Sequence, residues 1–118
     1  MLRVLAFEDS YDIRALLASG GVDIDGLELL QHWDTKDALS RIVEFGPEIL
    51  LLDHFIAPMT GLEVLQELNG SVAREGTERP GRIIGISSSS TANTQMERFG
   101  ADSAVAKFDL PHLELWRH

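Results

Sequence analysis

The segment Ile49-Leu50-Leu51-Leu52 most constrains what this chain can fold into. Four consecutive large apolar side chains leave no polar face, so a strand made from them must be covered on both sides. A central strand of a parallel sheet, with helices on either face, meets that requirement. The run is preceded by Gly46-Pro47 and ends at Asp53. Three other runs are built alike. RVLAF (3–7) ends at Glu8-Asp9, RIIGI (82–86) at Ser87, and SAVA (103–106) at Lys107. Each delivers a polar group at its carboxyl end.

Strands are therefore expected at 2–7, 27–31, 48–53, 82–87 and 103–107. Helical signals separate them. Ser10 is expected to cap a helix carrying Ile13, Leu16 and Leu17 on one face and stopped by Gly20-Gly21. Asp34 is expected to cap a second, with Ala38, Leu39, Ile42 and Val43 as its stripe and Gly46-Pro47 as its end. Leu62, Leu65 and Leu68 mark a third, which Asn69-Gly70 should terminate. The polar stretch from there to Arg82 is long for a compact domain. A short helix near 92–99 and a last one opened by Asp109-Leu110-Pro111 complete the pattern. This alternation predicts an α/β class: a doubly wound, five-stranded parallel sheet with about five flanking helices, in a single domain over 1–118. Its length of 118 residues suffices for one real core.

In doubly wound sheets, sites lie beyond the carboxyl ends of the strands. Glu8, Asp9, Asp53, Ser87 and Lys107 all fall there. Three carboxylates brought together do not all stay ionised without help, and a hard cation removes the repulsion. Mg2+ prefers one or two carboxylates, several waters and phosphate oxygens. Asp53 is then a plausible nucleophile toward phosphorus, giving an acyl phosphate. The cation, the Lys107 ammonium and the Ser87 hydroxyl can neutralise and position the moving group. Taken singly, each residue has an ordinary explanation: a loop-capping aspartate, a solvated lysine, a helix-starting serine. Only the combination is informative. The formal net charge of −9 disfavours nucleic-acid phosphates and favours a cation or a basic protein partner. There is no cysteine, hence no disulfide and no thiolate site, which fits a reducing cytoplasm. No apolar stretch is long enough to cross a bilayer.

With these residues in place, the chain resembles the receiver domain of two-component response regulators, the CheY-like family. RVLAFEDSYDIRALL is similar to the family's opening, PEILLLDHFIAPMTGLEVLQEL to its phospho-acceptor segment, ISS to its Thr/Ser switch, and GADSAVAKF to the segment that carries its lysine. The resemblance implies a flavodoxin-like sheet of strand order 2-1-3-4-5. It implies that Asp53 accepts a phosphoryl group and that Asp9 coordinates Mg2+ directly, with Glu8 helping through water. The backbone carbonyl of Phe55 would be a further metal ligand. Ser87 and Lys107 would bind phosphoryl oxygens. It implies a sensor histidine kinase or histidine phosphotransfer protein as donor and a downstream protein as target. Direct binding to nucleic acid or membrane is not expected, and a homodimer is compatible with the fold. The only chemistry implied is Mg2+-dependent self-phosphorylation from a phosphodonor and self-dephosphorylation.

The chain also departs from the family's pattern. Glu8 replaces the usual Asp. Pro58 sits one residue late, so the loop after Asp53 is expected to differ in shape. Ala104 stands where a switch aromatic belongs. Phe108 replaces the proline after the lysine, so the peptide bond there should be trans. The chain ends at His118 without an output domain, so a stand-alone receiver is expected. The main alternative is a degenerate receiver acting as a phosphorylation-independent interaction module. A phosphatase of the haloacid dehalogenase type wants a second acid two residues beyond its nucleophile, where this chain has Phe55. A flavodoxin-like cofactor binder wants a Ser/Thr/Gly-rich phosphate loop after the first strand, where this chain has an acidic pair. A GxxxxGK[ST] loop is absent.

Overall fold

A computed structural model describes residues 1–117. Five parallel strands run in order β2-β1-β3-β4-β5. They are β1 (Leu2–Phe7), β2 (Leu27–His32), β3 (Ile49–Leu52), β4 (Arg82–Gly85) and β5 (Ser103–Ala104). Four α-helices connect them: α1 (Ile13–Ser19), α2 (Ala38–Phe45), α3 (Gly61–Ala73) and α4 (Ser90–Arg98). In place of a fifth α-helix, two 3₁₀ segments, Lys107–His112 and Glu114–Arg117, follow β5.

The sheet is buried on both faces, as its unbroken apolar runs require. Along β1, Leu5 and Phe7 face a core shared with Ile42, Val64, Leu65, Leu68 and Met96 from α2, α3 and α4. Val4 and Ala6 face the opposite core, with Ile13 and Leu17 of α1 and Leu110. Leu50, Leu51 and Leu52 are fully buried, each contributing about 2 kcal/mol of burial free energy. The strand at the centre of the sequence argument is thus at the centre of the sheet.

Several boundaries differ from expectation, each for a local reason. Asp12, not Ser10, caps α1 by accepting the Ala15 N–H, while the Ser10 hydroxyl donates to Asp9 two residues before that cap. Asp34 turns the chain instead of capping α2: it accepts the Lys36 N–H and pairs with Arg41 at 2.9 Å. The α2 cap falls to Asp37, which sits at φ 52°. Asn69-Gly70 does not stop α3, which continues to Ala73 because Ser71 is buried and Val72 packs on the core. Part of the long polar segment is therefore helix. The remainder is tied down by Arg79, which donates to the carbonyls of Pro80 and Gly100 and to Asp102. Asp102 also accepts the Ile83 N–H at 2.8 Å, locking the start of β4. Regular pairing ends at Gly85 in β4 and at Ala104 in β5, earlier than the expected ends at 87 and 107. The backbone still carries on in register, with Ile86 N–H donating to Leu52 and Val105 N–H to Gly85. Lys107 accordingly opens a 3₁₀ turn instead of ending a strand. Among the described residues the one cis peptide is Ala57–Pro58, so the Lys107–Phe108 bond is trans, as Phe108 implies.

Gly61, the first residue of α3, marks where this helix presses on the sheet rim. A Cβ there would lie 2.1 Å from the Asp53 carbonyl oxygen and 2.5 Å from Met96. The backbone atom cannot move without shifting the end of β3. Gly61→Ala should therefore destabilise the fold by about 1–3 kcal/mol, the usual range for overpacking. Urea denaturation would measure it; an unchanged midpoint would contradict this packing.

Candidate functional site

The parallel register sets the site. β1 and β3 are aligned so that Phe7 pairs with Leu52, which puts Glu8 and Asp53 side by side just past their strands. β3 and β4 are aligned so that Leu52 pairs with Gly85, which puts Ser87 one residue above the level of Asp53. Glu8, Asp9 and Asp53 each present a carboxylate oxygen, and the three lie within 4.8 Å of one another. Glu8 and Asp53 are 0% and 1% exposed, whereas Asp9 is exposed at the rim.

Lys107 enters this cluster from beyond β5. Its ammonium is 2.9 Å from Glu8 Oε1 and 3.4 Å from Asp53 Oδ2. Only the longer contact is aligned as a hydrogen bond; the shorter is an ion pair without that alignment. Glu8 Oε2 accepts the N–H groups of Ser10 (2.6 Å) and Tyr11 (3.1 Å). Glu8 therefore anchors both the loop after β1 and the lysine. The Tyr11 ring lies 5.3 Å from Lys107 Nζ, and Phe108 packs edge-on against Tyr11. Tyr11 thus flanks the ammonium, with Phe108 packed on the Tyr11 ring.

Burial pushes the Asp53 carboxyl above the usual carboxylate range, and the Glu8 charge pushes it further, against the opposing pull of Lys107. Burial alone would lower Lys107, but Glu8 and Asp53 together raise it, so the ammonium stays charged. Glu8 Oε1 is occupied by the Lys107 ammonium, whereas Asp53 Oδ1 is buried without a hydrogen-bond donor. An uncompensated buried carboxylate oxygen of this kind fits a hard divalent cation such as Mg2+, which takes oxygen ligands only. The donor set is therefore suited to the ion that the sequence led us to expect.

Among the residues picked out from sequence, Glu8, Asp9, Asp53 and Lys107 converge directly. Ser87 is fully buried on the same rim, its Oγ accepting the Ser89 N–H at 3.1 Å. The Phe55 side chain is 63% exposed, and its backbone lies in the loop leaving Asp53. His54 turns its ring edge-on to Phe55, with Nδ1 buried and unpaired. His118 lies outside the described residues.

Three positioning residues escaped the sequence reading. Gln31 accepts the Ile13 N–H and donates to the carbonyls of Glu8 and Tyr11, fixing the loop that carries the acidic pair. Thr35 is buried and exchanges two 2.7 Å hydrogen bonds with the backbone of Met59, holding the loop after Asp53. Asn93, on the buried face of α4, bonds the backbone of Ser87. Gln31 was detectable as one more polar group at a strand's carboxyl end. Asn93 was detectable as a helix-disfavoured polar residue beside Ala92 and Met96 on the inner stripe.

Comparison with known proteins agrees with this geometry. TrrA of Thermotoga maritima, a response regulator in complex with Mg2+-BeF, superposes with a TM-score of 0.72 at 24% identity, over 98% of this chain and 95% of that one. The receiver domain of the histidine kinase CKI1 of Arabidopsis thaliana, complexed with Mg2+ and BeF3−, gives 0.71 at 22% identity, over 94% and 85%. The fold is that of a response-regulator receiver domain. A protein-glutamate methylesterase/protein-glutamine glutaminase of Myxococcus xanthus is 36% identical over 73 residues, which is 61% of this chain. The chain spans only 21% of that relative's length. No protein-family model matches the chain. Within the receiver fold, Ala104 occupies the short β5 and is half-buried. No helix among the described residues is long and apolar enough to cross a membrane.

The raised Asp53 pKa has a definite consequence in EDTA. A carboxyl whose folded pKa exceeds its unfolded one favours the folded state at low pH and loses that contribution as pH rises through the folded value. Asp53→Asn should therefore stabilise the metal-free protein at neutral pH. The gain should shrink as pH is lowered toward the ordinary carboxylate range. Urea denaturation across that range would show it; a destabilised variant at neutral pH would contradict the electrostatics.

Proposed function

We propose that this chain is a Mg2+-dependent phospho-acceptor that signals by phosphorylation on Asp53. The observation that carries the reading is the buried, donor-less Asp53 Oδ1 beside a charged Lys107 and two further carboxylates. In this reading Asp53 Oδ1 forms a bond to phosphorus while the bond from phosphorus to the donor's imidazole nitrogen or acyl oxygen breaks. The electron pair leaves with the donor. Lys107, already 3.4 Å from the other oxygen of Asp53, neutralises the incoming phosphoryl oxygens. The Ser87 hydroxyl donates to another, giving up no partner, since it acts only as an acceptor toward Ser89. Asp9, Asp53 and the Phe55 carbonyl would hold Mg2+, with Glu8 at one remove because it is engaged by Lys107, Ser10 and Tyr11. Bound there, the cation would draw off charge from the phosphoryl oxygens.

The phosphodonor would be a sensor histidine kinase or a histidine phosphotransfer protein, or a small acyl phosphate in vitro. The output would be a protein contact or onward phosphorelay in the cytoplasm, without direct contact to nucleic acid. One observation favours a second reading. Ala104 provides no aromatic ring to couple the site to an output face, as an unphosphorylated interaction module would allow.

Intact-mass spectrometry after incubation with acetyl phosphate and Mg2+ separates the two. A phospho-acceptor gains one phosphoryl group, and the gain disappears in EDTA and in Asp53→Asn. A folded chain that gains no mass, beside a working control receiver, is the interaction module.

A further inference from the structure

Asn93 makes three hydrogen bonds from a nearly buried position, and they tie α4 to both Ser87 and Val105. Its Oδ1 accepts the Ser87 N–H at 3.1 Å. Its Nδ2 donates to the Ser87 carbonyl at 2.8 Å and to the Val105 carbonyl at 3.2 Å. The amide orientation is forced, since an N–H can face only the oxygen and the two carbonyls can face only the nitrogen. Both N–H groups of the amide are used, so no shorter or singly polar side chain reproduces the pattern. The residue belongs to α4, one of its partners lies two residues past β4, and the other lies just past β5 and two residues before Lys107.

The packing around this amide is close. Gly85 lets α4 and β5 approach β4: a Cβ there would lie 2.7 Å from Met96 Sδ, 3.2 Å from the Ala104 Cβ and 3.4 Å from Asn93 Oδ1. Ala104, the small residue at the position expected to carry a ring, is thus part of the space in which the amide sits. A large side chain at this junction would compete for it.

We propose that Asn93 is a positioning residue that holds the Ser87 hydroxyl and the Lys107 ammonium at a fixed spacing and carries displacement of Ser87 into α4 and β5. The proposal rests on the phospho-acceptor reading of Asp53. In a chain without a switch aromatic, a movement of Ser87 toward a phosphoryl oxygen pulls directly on the Asn93 amide. The amide in turn pulls on the α4 backbone and on the Val105 carbonyl. The coupling is a hydrogen-bonded strap with two discrete ends, not a ring that changes rotamer. Loss of the strap should uncouple the acceptor site from the output face.

The test is amide NMR of the wild type, Asn93→Ala and Asn93→Asp, with beryllofluoride and Mg2+ as the probe. The variants are first checked for an intact fold by their far-UV circular dichroism and by amide exchange in β1 and β3. Without the probe, the Ser87 amide should lose about tenfold of its exchange protection in Asn93→Ala, the effect of one lost hydrogen bond. Asn93→Asp keeps the acceptor and should keep that protection while losing the bonds to the Ser87 and Val105 carbonyls. With the probe, wild-type shifts should extend from Ser87 through 90–98 and 103–105. In both variants they should stop at 87–89. A merely structural role for Asn93 would move the first readout but not confine the second. Folded variants whose shifts still spread through α4 and β5 would overturn the proposal. A wild type with no response to the probe anywhere would overturn the phospho-acceptor reading, and the strap's role falls with it.

Discussion

The site depends on one buried cation. Lys107 is 6% exposed and sits against two carboxylates that are themselves out of solvent. Burying an ionised carboxylate costs several kcal/mol unless it is paired, and Glu8 and Asp53 share a single partner. The arrangement is therefore incompletely compensated: Lys107 takes Glu8 Oε1 and Asp53 Oδ2, and Asp53 Oδ1 remains without a donor. A fold concerned only with stability would replace such a cluster by apolar side chains of the same volume.

Everything nearby serves to hold that cluster in place. Parallel pairing aligns β1, β3 and β4 so that their carboxyl ends rise to nearly one level. Glu8 organises the loop after β1 through two backbone N–H groups, and Gln31 secures it from β2. Thr35 performs the same service for the loop after β3. The 3₁₀ turn at Lys107 allows the side chain to leave the fading edge strand and point back over the sheet. Tyr11 and Phe108 then cover its outer flank. The opposite end of the sheet carries no comparable charge cluster among the described residues.

The strands were legible in the sequence because unbroken apolar runs call for burial on both faces, which a parallel sheet provides; their order came from the resemblance to the receiver family. Glu8, Asp9, Asp53 and Lys107 were legible for the same reason: a polar residue directly after such a run must lie on the rim. Helix starts were less legible. Ser10 and Asp34 had the right chemistry for caps, but other partners took their side chains, Asp9 in one case and Arg41 in the other. Gly70 carried a stop signal that the packing of Val72 overrode. The short β5 and the 3₁₀ segments after it were not visible, since SAVA has the composition of a strand but too few neighbours to extend one. Asn93 signalled itself only as a polar residue on an inner helix stripe; its role lies in two partner residues, 6 and 12 positions away.

The most direct test of this account is a crystal structure grown with Mg2+ and beryllofluoride. The account predicts the fluoride group on Asp53 Oδ1 and one metal held by Asp9, Asp53 and the Phe55 carbonyl. It also predicts that Lys107 Nζ and Ser87 Oγ have turned to the fluorines. A well-ordered crystal in which Lys107 stays on Asp53 and Glu8, with neither metal nor fluoride bound, would contradict it.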